Sequence, residues 1–310
     1  MSYDELPAAP RGGRSGWGHF GADDQIGSLN RQTPERIAAA ARLVRRGAMF
    51  PLNAPVDAFG HEHWGRRLMR RETVHVPGGV FFDDLLQDFG PQGSSQWDAL
   101  GHVGYEPDAF YNGATEEQVA SGRNGIDVVA RRGIAGRGVL LDMVRSAVAA
   151  GNPYDPLAPV AFGVAELEAA LALADTKLVP GDILVLRTGF GPAFAAMSAD
   201  ERTARPLEGA GLAHEESVVR WLWDHQLSAI VSDNLAIEAW PIDESAEAFP
   251  FGALHNMLIG QLGFSLGELW DLEDLAEDCA STGSHEMLIV SAPLNVPGGH
   301  GSPANAIALV

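Results

Sequence analysis

The chain has 310 residues, 46% of them hydrophobic and 20% charged, with a mean hydropathy of −0.02. That composition suits a globular domain able to bury a core. Forty-one acidic against 21 basic residues give a formal charge of −20, a surface that repels phosphate backbones and anionic lipid and excludes nucleic acid and membranes as expected partners.

Residues 1–16, rich in Pro, Gly and Arg, read as a flexible arm, which leaves residues 17–310 as one domain. No signal-peptide core or uninterrupted membrane-length apolar run is visible, so the expected location is cytoplasmic. The spacing predicts a first helix over 33–46, with Thr33 as its cap, Pro34 in the first turn and Gly47 as its stop. Short strands are predicted at 73–76 and 139–144, a helix at 164–174, a Pro180-Gly181 turn and a strand at 182–187. A helix at 215–226, a strand at 228–231 and a helix at 253–262 follow. Two strands, 287–291 and 306–310, flank a glycine-rich turn at 297–303. The strands do not alternate strictly with helices, which argues for one α+β domain over a doubly wound sheet. Cys279, the only cysteine, excludes an internal disulfide and a cysteine-built zinc site, and in its acidic stretch it reads as an inert thiol.

The densest group of polar residues is GSSQWDALGHVGY, residues 93–105. Gln96, Asp98 and His102 are separated by even intervals, so an extended segment would project them from one side, with Trp97 pointing into the core. An amide oxygen, a carboxylate and an imidazole converging on one spot suit a divalent cation such as Zn²⁺ or Mn²⁺. On spacing alone, an Asp–His hydrogen bond tying down a loop is the simpler reading.

This segment resembles the signature H-x-G-T-H-x-D-x-P-x-H of the cyclase / kynurenine-formamidase-like family of metal-dependent hydrolases. Asp98 falls on the family's aspartate and His102 on its last histidine, while Ser95 replaces the threonine. The two earlier metal-binding histidines fall on Gln92 and Gln96, and the proline on Leu100. A subgroup of larger members shares Q-W-D in place of H-x-D. Blocks at 17–35, 136–142 (GRGVLLD), 180–189 (PGDILVLRTG), 232–241 (SDNLAIEAWP) and 292–309 also resemble the family, in its order.

The resemblance implies a swivelling β/β/α fold, assembled as a homodimer or homotetramer. It implies a Zn²⁺ or Mn²⁺ ion held by Asp98, His255, Gln96 or His102, and Glu268, the last displaced by one position from the family pattern. It also implies hydrolysis of a small amide, cyclic amide or imide, or lactone. His102 is open between ligand and general base. Two other functions are weighed: a cyclase or dehydratase acting on a carbonyl-rich, polyketide-like metabolite, and a catalytically silent homologue that binds a small molecule.

Lesser candidates are weighed against plainer roles. GFSLG at 263–267 matches a nucleophile elbow but follows a predicted helix. GIAGRG at 133–138 lacks dinucleotide-binding spacing. Asp233-Asn234 suits either a pocket wall or a turn cap. Arg66, Arg67, Arg70 and Arg71 suit either attraction of an anionic substrate or salt bridges. His61 and His63 read as surface residues.

Overall fold

The apolar runs at 183–187 and 229–232 have hydrophobic residues at nearly every position, the pattern of strands covered on both faces. In the computed structural model, which describes residues 1–59 and 66–310, they lie at the centre of a nine-stranded sheet. His61 and His63 lie outside the described residues. The strand order is 49–51, 306–309, 286–291, 134–142, 183–187, 229–232, 265–268, 96–98, 301–303. The four strands from 134–142 to 265–268 run parallel, and the flanking strands are antiparallel.

Alternate residues of the central strands enter two cores. Leu184, Leu186 and Ile230 pack with Leu167, Val218 and Leu222 of the helices Val164–Leu173 and Glu216–Asp224. Ile183, Val185 and Val231 pack on the other side with Leu275, Ala276 and Cys279 of the helix Glu273–Thr282. This is the expected α+β architecture. Burial raises the Cys279 thiol to about 12, as an inert thiol requires. Among the described residues, no helix is long and apolar enough to cross a membrane.

Several boundaries differ from expectation. The first helix spans Pro34–Ala41, with Thr33 accepting from the Arg36 amide at 3.4 Å. It stops early because the chain turns to the sheet, where the Arg46 and Gly47 amides donate to the Val310 carbonyl. The strand expected at 139–144 spans Ile134–Asp142, and the Asp142 carboxylate then caps an unforeseen helix, Met143–Ala149, by accepting from the Arg145 amide at 2.9 Å. The GIAGRG segment is therefore mainly strand. GFSLG likewise contributes the strand Ser265–Glu268, with Ser265 buried against Ala229. The helix expected at 253–262 is wider than α over Asn256–Gln261, a π-helix.

Residues 1–16, expected as an arm, lie against the domain with Tyr3, Leu6 and Ala9 buried. The Tyr3 amide donates to Asp224 Oδ1 at 2.6 Å. The strand expected at 73–76 belongs to an outlying hairpin, Arg70–His75 paired with Phe82–Gln87, on which Phe81 and Phe82 are exposed.

The position of Leu184, fully buried in a central strand, predicts a large packing penalty. Leu184→Ala should lower unfolding free energy by about 2–5 kcal/mol, read from the shift of the urea midpoint at constant slope.

Candidate metal-binding site

The strand Gln96–Asp98 pairs antiparallel with Ser265–Glu268, placing Glu268 directly opposite Gln96. Pleating turns Gln96 and Asp98 to one face and Trp97 to the other. Trp97 packs edge-on against Trp270, with ring centroids 5.0 Å apart, and its Nε1 donates to Ser291 Oγ at 2.9 Å. The Gln96 amide donates to the Glu268 carboxylate, so strand register carries the displaced glutamate into the site. His102 arrives by a turn, not by extension: its amide donates to the Ala99 carbonyl at 2.9 Å. The folded-back imidazole has Nε2 3.7 Å from Asp98 Oδ1.

His255 opens the segment that continues into the π-helix. This segment packs closely on the loop that follows Asp98. A Cβ at Gly260 would stand 2.3 Å from the Tyr105 amide nitrogen, so only glycine permits that approach. Asn256 Nδ2 donates to the Gly104 carbonyl at 2.8 Å and holds the two pieces in register. His255 Nε2 consequently lies 3.0 Å from Glu268 Oε1 and 3.8 Å from Asp98 Oδ2. Its Nδ1 lies 2.5 Å from Glu238 Oε1. Glu238 also accepts from the Leu254 and His255 amides and lies 3.1 Å from His214 Nε2.

The electrostatics of this group are unusual. The side chains of Asp98, Glu238 and Glu268 are 0%, 1% and 5% exposed. Burial, with the Asp98 charge beside it, raises Glu268 to about 7. Burial opposes charge on His255, but the hydrogen bonds to Glu238 and Glu268 override it and raise the imidazole well above its usual value. Glu238 is lowered: burial works against its charge, and the nearby His214 imidazole with the bond from His255 outweighs it. Burial lowers His102 more than Asp98 raises it, which keeps this imidazole a neutral base at neutral pH.

Asp98 differs from the other two carboxylates of this group, although Gln261 and Ser265 Oγ elsewhere are also buried without partners. Among the described residues, both buried carboxylate oxygens of Asp98 lack a hydrogen-bond donor, and Gln96 Oε1 is orphaned in the same way. Leaving such atoms bare is costly. One ligand atom each from Asp98, His255 and Glu268 lie within 4.8 Å of one another. Separations of 3.0 and 3.8 Å are comparable to the edges of a polyhedron with metal–ligand bonds of roughly 2 Å. The donor set is of the N/O type that zinc and manganese accept. The carboxylate of Glu238 behind His255 is the outer partner that metal-bound imidazoles use. The residues present therefore fit a divalent cation.

A cavity of about 590 Å³ opens onto this group, with His102, Arg66, Leu235, Tyr105, Trp240 and Phe249 in its wall. Of the four clustered arginines, only Arg66 reaches it, with Nη1 donating to the Gln92 carbonyl at 2.7 Å. Arg67 and Arg70 pair with Asp88, and Arg71 with Asp84, so the salt-bridge role holds for those three. Gln92 lines a second, smaller cavity beside Arg66. Asp233 accepts from the Thr188 amide and hydroxyl and the Gly189 amide, and burial raises it to about 6. Asn234 accepts from the Ile237 amide at 2.8 Å, so this pair shapes the turn that delivers Glu238.

Sequence reasoning missed Glu238 and His214. Glu238 lies within the SDNLAIEAWP block, but neither spacing nor motif marks that acid as a partner of His255.

The fold and its buried carboxylate–imidazole group define a single-domain α+β protein with a candidate metal site. The Cyclase family model matches residues 32–239, two-thirds of the chain. The chain belongs to the cyclase family, as the motif resemblance implied. A crystal structure described as that of a novel cyclase is similar at 35% identity and a TM-score of 0.84, covering 96% of this chain and 99% of that one. Isatin hydrolase A from Labrenzia aggregata, bound to benzyl benzoate, has 16% identity and a TM-score of 0.60, covering 91% of this chain and 99% of that one. A metal-dependent hydrolase, so named by prediction, from Bacillus stearothermophilus has 16% identity and a TM-score of 0.50, covering 85% and 98%. At such identity the last two show likeness of fold alone. No curated protein matches the sequence.

Glu238→Gln removes the charge that holds His255 and should weaken zinc or manganese affinity about 10–100-fold, measured by calorimetric titration beside an unchanged circular dichroism spectrum. Glu268 and His255 both hold protons more tightly than usual, and ligation requires their loss. Cation affinity should therefore rise as pH rises through about 7, with proton release visible as a dependence of the binding heat on the buffer.

Proposed function

We propose that the protein hydrolyses a small amide, cyclic amide or imide, or lactone, at the group formed by Asp98, His255 and Glu268. The observation that carries this reading is the buried Asp98 carboxylate, both oxygens without a donor, beside two imidazoles and a second carboxylate. A divalent cation, zinc or manganese, held by Asp98, His255 and Glu268 with Gln96 Oε1 in reach would polarise the substrate carbonyl and acidify water there.

The chain's own residues supply the remaining parts. Glu238 fixes the His255 ring through Nδ1 and keeps Nε2 turned toward Asp98 and Glu268. Gln96 orients the Glu268 carboxylate. His102, held neutral and facing the cavity, takes the proton of the attacking water and returns it to the leaving nitrogen or oxygen. The water oxygen bonds to the carbonyl carbon, the C–N or C–O bond breaks, and His102 ends neutral. Tyr105, Phe249 and Trp240 give the cavity an aromatic wall suited to a planar substrate. The name of the isatin hydrolase of similar fold supports a cyclic amide among the candidates.

Ring closure on a carbonyl-rich metabolite is the second reading, supported by the cyclase description of the structure with 35% identity. Oxygen-18 water separates the two: hydrolysis places one labelled oxygen in the product carboxylate, and ring closure without net hydrolysis places none.

Roles within the site separate by mutation. Asp98→Asn should abolish both cation binding and turnover. His102→Ala should keep the cation and lose about 10²–10⁴ in turnover. Loss of the cation in His102→Ala would make His102 a ligand instead of the base.

A further inference from the structure

The expectation of a free N-terminal arm gave way to a segment folded onto the domain, and that places Arg11 in the wall of the site cavity. The segment is tied at several points. Tyr3 is buried, and the Ser15 amide donates to the Pro7 carbonyl at 2.8 Å. The Arg11 amide donates to Tyr105 Oη, and Tyr105 Oη donates to the Gly12 carbonyl, both at 3.1 Å. Tyr105 belongs to the loop that carries His102, so the N-terminal segment is anchored to the catalytic loop itself.

The Arg11 side chain is held as well. Its guanidinium lies 4.1 Å from the centroid of the Phe249 ring, which in turn packs 5.0 Å from Tyr105. Its Nη1 meets Glu106 Oε2 at 3.4 Å, a long, single-ended ion pair. Nε and Nη2 have no acceptor among the described residues. Stacking on an aromatic ring restricts the planar fork before any ligand arrives, and lowers the entropic cost of a new bond. A guanidinium so placed suits a planar carboxylate, which it can grip with two parallel N–H bonds.

The carboxylates in the same wall oppose this. Glu106 is already offset by Arg11, Asp243 accepts from the Ser245 amide at 2.9 Å within its own exposed turn, and Glu244 is exposed beside it. Solvent screens such exposed charges, that of Arg11 included, so the geometry of the stacked fork carries the argument and not the net charge of the wall.

We infer that Arg11 is a specificity-determining residue that binds a carboxylate on the part of the substrate remote from the scissile bond. The inference rests on the hydrolase reading above and deepens it: the favoured substrate is an amide or lactone whose aromatic or planar body carries an acid group. Removing Arg11 should change which substrates bind and leave the chemistry at Asp98, His102 and His255 intact.

The test is equilibrium binding of two probes to the full-length, zinc-loaded protein. Benzohydroxamate offers a metal-binding group alone, and 4-carboxybenzohydroxamate adds a carboxylate at the far end of the ring. The wild type should bind the carboxylated probe about tenfold more tightly. Arg11→Ala should erase that preference while keeping benzohydroxamate affinity within about twofold, and Arg11→Lys should restore part of it. Equal affinities in the wild type, or a preference that survives Arg11→Ala, would overturn the inference and leave the hydrolase reading standing. Loss of both probes in Arg11→Ala would make the residue a structural support of the wall and overturn it too. A wild type that binds neither probe would remove the hydrolase reading and the inference together.

Discussion

Three carboxylates, Asp98, Glu238 and Glu268, surround the imidazole of His255 in the protein interior, and the folding of neighbouring segments serves to hold them there. Like charges at this depth repel strongly and have lost their water. Glu238 is stabilised by two backbone amides and two imidazoles, and Glu268 by the Gln96 amide and His255. Asp98 accepts no hydrogen bond among the described residues, and its two neighbouring imidazoles stand off at 3.7 and 3.8 Å. A divalent cation would supply more positive charge here than one shared proton does. The pinning of His255 by Glu238, the turn that folds His102 back and the glycine that lets the π-helix approach all follow from presenting ligands to one point.

The two glutamines at positions where the family pattern has histidines change this chemistry in different ways. Gln92 lines the smaller neighbouring cavity, and its main-chain carbonyl accepts from Arg66 Nη1. Gln96 stays and divides its amide, the nitrogen going to Glu268 and the oxygen left without a donor. A ligand set drawn from these residues would be richer in oxygen than one with histidines there, a shift toward harder cations on the scale from zinc to manganese.

Much of the fold was legible in the sequence because the central strands are continuous apolar runs and the helix 216–224 opens on acidic residues. The strand Ser265–Glu268 was not: Ser-Leu-Gly-Glu has no β-branched residue and takes its shape from neighbours on both edges. The N-terminal segment shows no period because isolated residues, Tyr3, Leu6 and Ala9, anchor it one at a time. Of the site, Asp98 and His102 were marked by their motif and His255 by its block. The same-side placement expected for His102 from an extended chain is reached by a turn. Glu268, displaced in sequence, is set by strand register, which local pattern does not encode. Glu238 stands behind His255 through a tertiary contact with no sequence signature at all.

The account turns on a cation at the junction of Asp98, His255 and Glu268, and anomalous diffraction from crystals grown with Zn²⁺ or Mn²⁺ tests it most directly. The account predicts one dominant anomalous peak bonded to an Asp98 carboxylate oxygen, His255 Nε2 and a Glu268 oxygen, with Glu238 still hydrogen-bonded to the far side of the ring. A site left without a peak at saturating metal, with His255 bridging Glu238 and Glu268 as a protonated imidazolium, would contradict it.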